Sequence, residues 1–180
     1  MNIYKALNER RSVRKYKTDP VPDEKLKRVL EAARVAPSWK NQQCWKFIVI
    51  RDNEQKKAVS ACVPDSNPAK RAVTETAPVV VVLCADPQGS GNQDNKDFYM
   101  LDAGIAMQQL MLAAHAEGLG TCWVGWFEEE IARAACGVPA DYRVVALTPL
   151  GTPEVLSSKR ARKELEEIVF SEKWGNPFKQ

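Results

Sequence analysis

Apolar residues recur at helical spacing after Val21-Pro22-Asp23-Glu24, at Leu26, Val29, Leu30 and Ala33. That spacing puts them on one face of a helix. A proline and two acids suit the first turn, where the helix dipole favours negative charge, and Pro37 ends the pattern. Trp45 to Ile50 predicts a strand, followed by the polar turn Arg51-Asp52-Asn53, and Gln55 to Ala61 predicts a short helix. Cys62 to Lys70, which holds Pro64 and Pro68, reads as loop. Val79 to Cys84 is apolar at every position, so a central strand buried on both faces is expected.

Pro87 to Asn95 is polar and reads as loop. Phe98 to Glu117 is the longest helical segment, with Leu101, Ile105, Gln108, Leu112 and His115 on or near one face, and Gly118-Leu119-Gly120 supplies its stop. Thr121 to Trp126 predicts a strand, Glu128 to Cys136 a helix capped by Gly137, Arg143 to Leu147 another strand, and Glu164 to Phe170 a last short helix. No repeat, low-complexity segment or linker divides the chain. A single domain over residues 1–180 is expected, built as a helix-flanked sheet.

Composition adds little to this picture. The chain has 180 residues, 44% hydrophobic and 27% charged, which is ordinary for a soluble domain of this size. A net charge of +3 is too small to argue for nucleic acid. The run Ala77 to Ala85 is far short of a membrane span, and Met1-Asn2-Ile3-Tyr4-Lys5 does not resemble a signal peptide. A cytoplasmic protein with neither membrane nor nucleic-acid partner is therefore expected. Cys44, Cys62, Cys84, Cys122 and Cys136 are odd in number and form no C-x-x-C, so reduced, mostly buried thiols are expected rather than disulfides or a zinc ribbon.

The chemistry narrows by subtraction. His115 is the single histidine, which leaves no His-based metal site and no hydrolytic triad. No G-x-S-x-G elbow and no Walker sequence occur. Gly89-Ser90-Gly91 follows a strand, but Asp94 stands where a dinucleotide-binding turn needs its third glycine, so a surface loop is expected. An enzyme on this chain needs a bound cofactor to carry its reaction.

Three segments are candidates to hold one. Glu9 to Lys17 packs three arginines and two lysines around Ser12. It is either a solvated basic face, the reading composition favours, or an anion site with forked Arg contacts. Ala36 to Trp45 combines amides, a hydroxyl and two tryptophans. It offers the polar edges and flat apolar faces that a heteroaromatic ring requires, or else a structural loop with a tryptophan anchor. Lys159-Arg160-Ala161-Arg162-Lys163 repeats the basic pattern and reads alone as a helix start or a nucleic-acid patch. Two such clusters at opposite ends could converge on one phosphate.

The order R-R-S-V-R, then A-P-S-x-x-N-x-Q-x-W, then D-A-G-x-A-x-Q-x-L-x-L-A-A-H-A-x-G-L-G-T-C-W-V-G, then K-R-x-R-K-x-L-E-E-I-V resembles the nitroreductase family over most of the chain. The resemblance implies an α+β fold with a mixed central sheet between helices, assembled as an intertwined homodimer with FMN at the interface. Arg10, Arg11, Ser12 and Arg14 match the family's first FMN-binding segment, and Arg160 and Arg162 its C-terminal phosphate-binding pair. Gly125 and Trp126 match the pair whose backbone lies against flavin N5. Pro37, Ser38, Trp39 and Asn41 match the loop that the partner subunit lends to the ring.

The implied reaction passes a hydride from NAD(P)H through flavin N5 to an electron-poor acceptor, a nitroaromatic or a quinone, in a ping-pong cycle. No side chain need act as a catalytic acid, and Arg14 would serve as an electrostatic stabiliser of the anionic reduced flavin. The chain departs from the family pattern at Trp39 and Trp126, where small residues are frequent, at Cys44, where proline is usual, and in the short stretch from Cys84 to Phe98. The rival readings are a flavin-binding or redox-sensing protein without fast turnover, a same-fold branch such as a reductive dehalogenase, and a nucleic-acid module resting on the basic clusters.

Overall fold

A computed structural model describes residues 2–178 of the chain. Met1, Lys179 and Gln180, the ends of the single-domain reading, lie outside the described residues. The molecule is organised around the strand Val79–Ala85 (β2), in which every residue is buried. Its side chains alternate between two cores, as strand geometry requires. Val79, Val81, Leu83 and Ala85 face one core, and Val80, Val82 and Cys84 face the other.

Trp45–Ile50 (β1) pairs with one edge of β2, and Arg143–Gly151 (β6) with the other. Gly120–Thr121 (β5) adds to the far edge of β6, giving the order β1-β2-β6-β5. These ladders are antiparallel, and the parallel element among the described residues is a single bridge between Ser12 and Thr121. The two-faced burial expected for the central strand therefore occurs in an antiparallel setting, because helices cover both faces.

Asp23–Arg34 (α2) and Phe98–Ala116 (α4) pack together over the first face, and Asn53–Ser60 (α3) and Glu129–Cys136 (α5) cover the second. Pro22 caps α2 and Asp52 caps α3, its side chain accepting from Gln55 N at 2.8 Å. Ile3–Glu9 (α1), which the hydrophobic pattern does not announce, is capped by Asn2.

Several elements differ from expectation for identifiable reasons. The outward side of α4 carries Leu101, Ile105 and Gln108, with Leu101 58% exposed. The inward side is built from Ala103, Ala106, Met107, Leu110 and Ala114. The alanines allow close approach to α2 and the sheet, and Tyr99, Met107, Leu110 and Met111 fill the space around them, so a helix apolar all round buries the side that meshes with its neighbours. The strand expected from Thr121 to Trp126 is short, because Cys122 N donates to Thr148 Oγ1 instead of a ladder carbonyl. The stretch from Cys84 to Phe98 holds a small hairpin, Asn92–Gln93 (β3) and Lys96–Asp97 (β4), turned at Asp94 and Asn95 with φ of 53° and 59°. The helix expected at Glu164–Phe170 is a single 3-10 turn, Leu165–Glu167. A π-helical turn at Ala72–Thr76 follows the Pro-rich loop.

The α5–β6 junction depends on Glu129. Its carboxylate accepts from Arg143 Nη2 at 2.7 Å, Arg133 Nη2 at 3.2 Å and Val144 N at 2.9 Å. The Arg143 hydrogen bonds, above all, hold its pKa below the ordinary value of 4.5. A depressed acid contributes stability above its unfolded pKa and loses it as pH falls through its folded value. Glu129→Gln should therefore cost about 1.5–3 kcal/mol at neutral pH. The gap between variant and wild type should close as pH drops below 4.5, which melting temperatures across pH 3–7 would measure.

Candidate functional site

The first basic cluster owes its shape to an extended segment anchored at two buried side chains. α1 ends at Arg10, whose φ and ψ of −56° and 132° send the chain out extended. Val13 and Tyr16 then turn inward, at 3% and 1% exposure, leaving Arg10, Arg11, Ser12 and Arg14 on the other side. Val13 N donates to Thr121 O at 2.8 Å, which fixes the segment to β5. This approach requires glycine at position 120, where a Cβ would sit 2.7 Å from a Val13 methyl. Tyr16 hydroxyl donates to Val13 O at 2.6 Å and lies 3.3 Å from Pro149 O. Burial pushes its pKa well above the ordinary value, so it stays a donor.

The second cluster reaches the first because the chain beyond β6 doubles back along it. Lys17 N donates to Thr152 O at 2.9 Å, and Glu154 N to Lys15 O at 3.1 Å. Lys15 and Glu154 pair at 2.9 Å, and Ser157 Oγ donates to Ser12 O at 3.1 Å. Residues 159–162 are thereby delivered opposite the arginines. The two clusters form a cleft of about 780 Å³, with Arg10, Arg11, Ser12 and Arg14 on one wall and Lys159, Arg160 and Arg162 on the other. No carboxylate lines it. Arg11 Nη1 reaches Ser157 O at 3.4 Å, while its Nε is buried without a hydrogen-bond partner.

Cys122 and His115 lie behind this cleft, a placement the sequence reading missed. Burial pushes the Cys122 thiol above its ordinary pKa, and Arg14 and Ser12 pull it partly back. Cys44, Cys62 and Cys84 are pushed up to about 11, chiefly by burial. All five cysteines are free thiols. His115 lines a small hollow with Glu9, Arg10 and Arg11, and burial lowers its pKa.

The remaining candidates do not line this cleft. Pro37, Ser38, Trp39 and Asn41 sit at the α2–β1 connection, which α4 braces through Asp102. Gly125 and Trp126 follow the Val124 bridge to Leu147 and are both exposed. Trp126 is 62% exposed, so it is not a core residue of the subunit, and its carbonyl accepts from Asn67 Nδ2 at 3.1 Å. Among the described residues, no three His, Cys, Asp or Glu side chains cluster closely enough to hold a metal.

Comparison with known proteins identifies the class to which this fold and cleft belong. Residues 7–152 match the nitroreductase family. A nitroreductase family protein of Clostridium novyi superposes with a TM-score of 0.82 at 35% identity, covering 99% of this chain and 98% of its own. An FMN-dependent nitroreductase of Clostridium difficile superposes with a TM-score of 0.80 at 30% identity, covering 95% of this chain and 99% of its own. An NADH dehydrogenase of Thermus thermophilus is 31% identical over 196 aligned positions, 92% of this chain and 93% of that protein. The chain belongs to the nitroreductase family.

The hydroxyl of Tyr16 is the peg on which the first wall of the cleft hangs. Tyr16→Phe leaves a buried carbonyl without its donor and should cost about 1–3 kcal/mol. Urea denaturation measures the loss, and an unchanged midpoint would assign the segment's order to the β5 contact alone.

Proposed function

We propose that the chain is an FMN-dependent oxidoreductase that takes its reducing equivalents from NAD(P)H. One observation carries this reading. Six cationic side chains, brought from opposite ends of the sequence, line a single cleft that holds no carboxylate. Like charges at this density repel, and a bound dianion relieves that repulsion. The unpartnered, buried Nε of Arg11 fits the same group, since guanidinium N–H donors match phosphate geometry. A phosphate-bearing cofactor therefore fits the residues present. The names of the relatives, an FMN-dependent nitroreductase and an NADH dehydrogenase, support FMN and a nicotinamide donor.

Bound in this cleft, FMN would supply the redox chemistry between NAD(P)H and an electron-poor acceptor such as a nitroaromatic or quinone. The chain's own residues bind and orient. Arg10, Arg11, Ser12, Arg160 and Arg162 hold the phosphate end, and Arg14 adds fixed positive charge that stabilises developing negative charge. Gly125 and Trp126 border the ring through their backbone, and Trp126 limits the size of the acceptor. Pro37, Ser38, Trp39 and Asn41 reach the ring of a second copy.

A homodimer is part of this reading, supported by apolar surface that a lone subunit leaves open. Leu101 and Ile105 on α4 are 58% and 41% exposed, Ile3 and Leu7 on α1 are 55% and 52% exposed, and Trp174 in the C-terminal segment is 91% exposed. Leu101 and Ile105, like Ile3 and Leu7, are four residues apart on one helix, so each helix shows an exposed apolar face of the kind that marks an interface.

The purified protein should be yellow, carry one FMN per chain, and elute at twice 20.1 kDa. Replacing Arg10 and Arg162 together by Ala should weaken FMN binding by about 3–6 kcal/mol, since each charged hydrogen bond contributes about 1.5–3 kcal/mol. Colourless protein that fails to take up added FMN would end the reading. Steady-state rates against NAD(P)H and a quinone should give parallel lines, because donor and acceptor use one site in turn. Intersecting lines would mean that both bind together.

A further inference from the structure

The loop between α2 and β1 has a backbone that sequence preference does not explain. Lys40, Asn41 and Gln43 have φ of 46°, 57° and 52°, the left-handed region. Non-glycine residues stay there only where their surroundings over-determine the conformation. Gln43 N donates to Ser38 Oγ at 2.9 Å, which closes the loop on itself. The anchor to the rest of the molecule is Asp102.

Asp102 lies on α4 and is 4% exposed, yet it faces no cationic partner among the described residues. Its Oδ1 accepts from Trp39 N at 3.0 Å, and its Oδ2 accepts from Ser90 Oγ at 2.7 Å and Cys44 Sγ at 3.8 Å. One buried side chain thus ties three segments: the loop, the start of β1 and the turn before the β3–β4 hairpin. The Trp39 ring completes the clamp. It packs against Phe98 with ring centroids 6.4 Å apart, and against Gly91, where a Cβ would approach Trp39 Cε2 to 2.7 Å. Cys44, where the family pattern has proline, contributes a donor that proline cannot.

We propose that Asp102 is a positioning residue that latches the Pro37–Asn41 loop and the Ser90–Gly91 turn into one preformed element, set to complete the cofactor site of a second copy. The inference rests on the shared-site reading above. Asp102 acts on the neighbouring subunit's cofactor through Trp39 and the loop, not by touching it. The short connection from Cys84 to Phe98 has a role here: it seats Trp39 and so fixes the shape that the loop presents.

The test compares Asp102→Leu, Asp102→Asn and Ser90→Ala with the wild-type dimer. Three readouts are FMN dissociation constants from flavin fluorescence, melting temperature, and hydrogen exchange at the Trp39 amide in flavin-free protein. Asp102→Leu removes every acceptor and should weaken FMN about tenfold or more, as loss of preorganised geometry does. Exchange at the Trp39 amide should rise with it. Asp102→Asn keeps an oxygen for Trp39 N and should restore FMN affinity to within about threefold of wild type, the range of one neutral hydrogen bond. Ser90→Ala, which spares the fold if Asp102→Leu does not, should weaken FMN about threefold and lower the melting temperature by only about 2–4 °C.

A mixed dimer decides where the latch acts. One subunit carries Asp102→Leu and the other carries Arg10→Ala with Arg162→Ala. Its single intact cleft belongs to the Asp102→Leu subunit but receives an intact loop, so one tight FMN site per dimer is expected. A mixed dimer with no tight site would confine Asp102 to its own subunit and overturn the proposal. Wild-type FMN binding with unchanged affinity in Asp102→Leu and Ser90→Ala would overturn the latch alone. Wild-type protein that binds no FMN would remove the functional reading and the latch together.

Discussion

The strap formed by residues 12–17 is the constraint on which the cleft depends. It is pinned on one side to Thr121 and on the other to residues 152–154. Neither cluster of arginines would have a defined position without it, because the first follows the end of α1 and the second follows the end of the sheet. The contacts that pin it are backbone hydrogen bonds, the buried Tyr16 hydroxyl and the glycine at 120. Such contacts are directional, so they fix register as well as proximity.

Electrostatics and packing oppose each other at this strap. Backbone pairing draws the two basic segments together, while their charges push them apart. The fold contributes little local neutralisation: Lys15 finds Glu154, but Arg10, Arg14 and Arg160 have no comparable carboxylate among the described residues. A site held together against its own charge is stabilised by the anion it receives, because the ligand binds the folded state and not the unfolded one. Local arrangement rather than net charge carries the argument, since the chain as a whole is only +3.

The core between α2, α4 and the sheet asks different things of the sequence. On the inner side of α4, Ala103, Ala106 and Ala114 let it lie close to α2 and β2 while Tyr99, Met107, Leu110 and Met111 fill the space between, and Leu101 and Ile105 stay outside. The same helix carries Asp102 on its buried side, so one element both builds the core and holds the strained loop. Core, loop and outward apolar surface are thus coupled through a single helix, which is the physical basis for proposing that the subunit is completed by another copy.

Local rules in the sequence determined the strands β1 and β2, the helices α2, α3, α4 and α5, and the mostly buried state of the cysteines, four of which are buried and Cys136 partly so. Each follows from spacing, caps or uniform apolarity, which act within a few residues. The four ordered segments were enough to mark the family and to single out Arg10, Arg11, Ser12, Arg14, Arg160 and Arg162. Convergence of those residues was decided only by tertiary structure, because nothing local relates positions about 150 apart. The inward side of α4 was likewise undecided, since a helix apolar on all sides carries no directional signal. Asp102 opens the D-A-G segment of α4, but its importance comes from donors at Trp39, Cys44 and Ser90, which are brought together by packing and not by spacing.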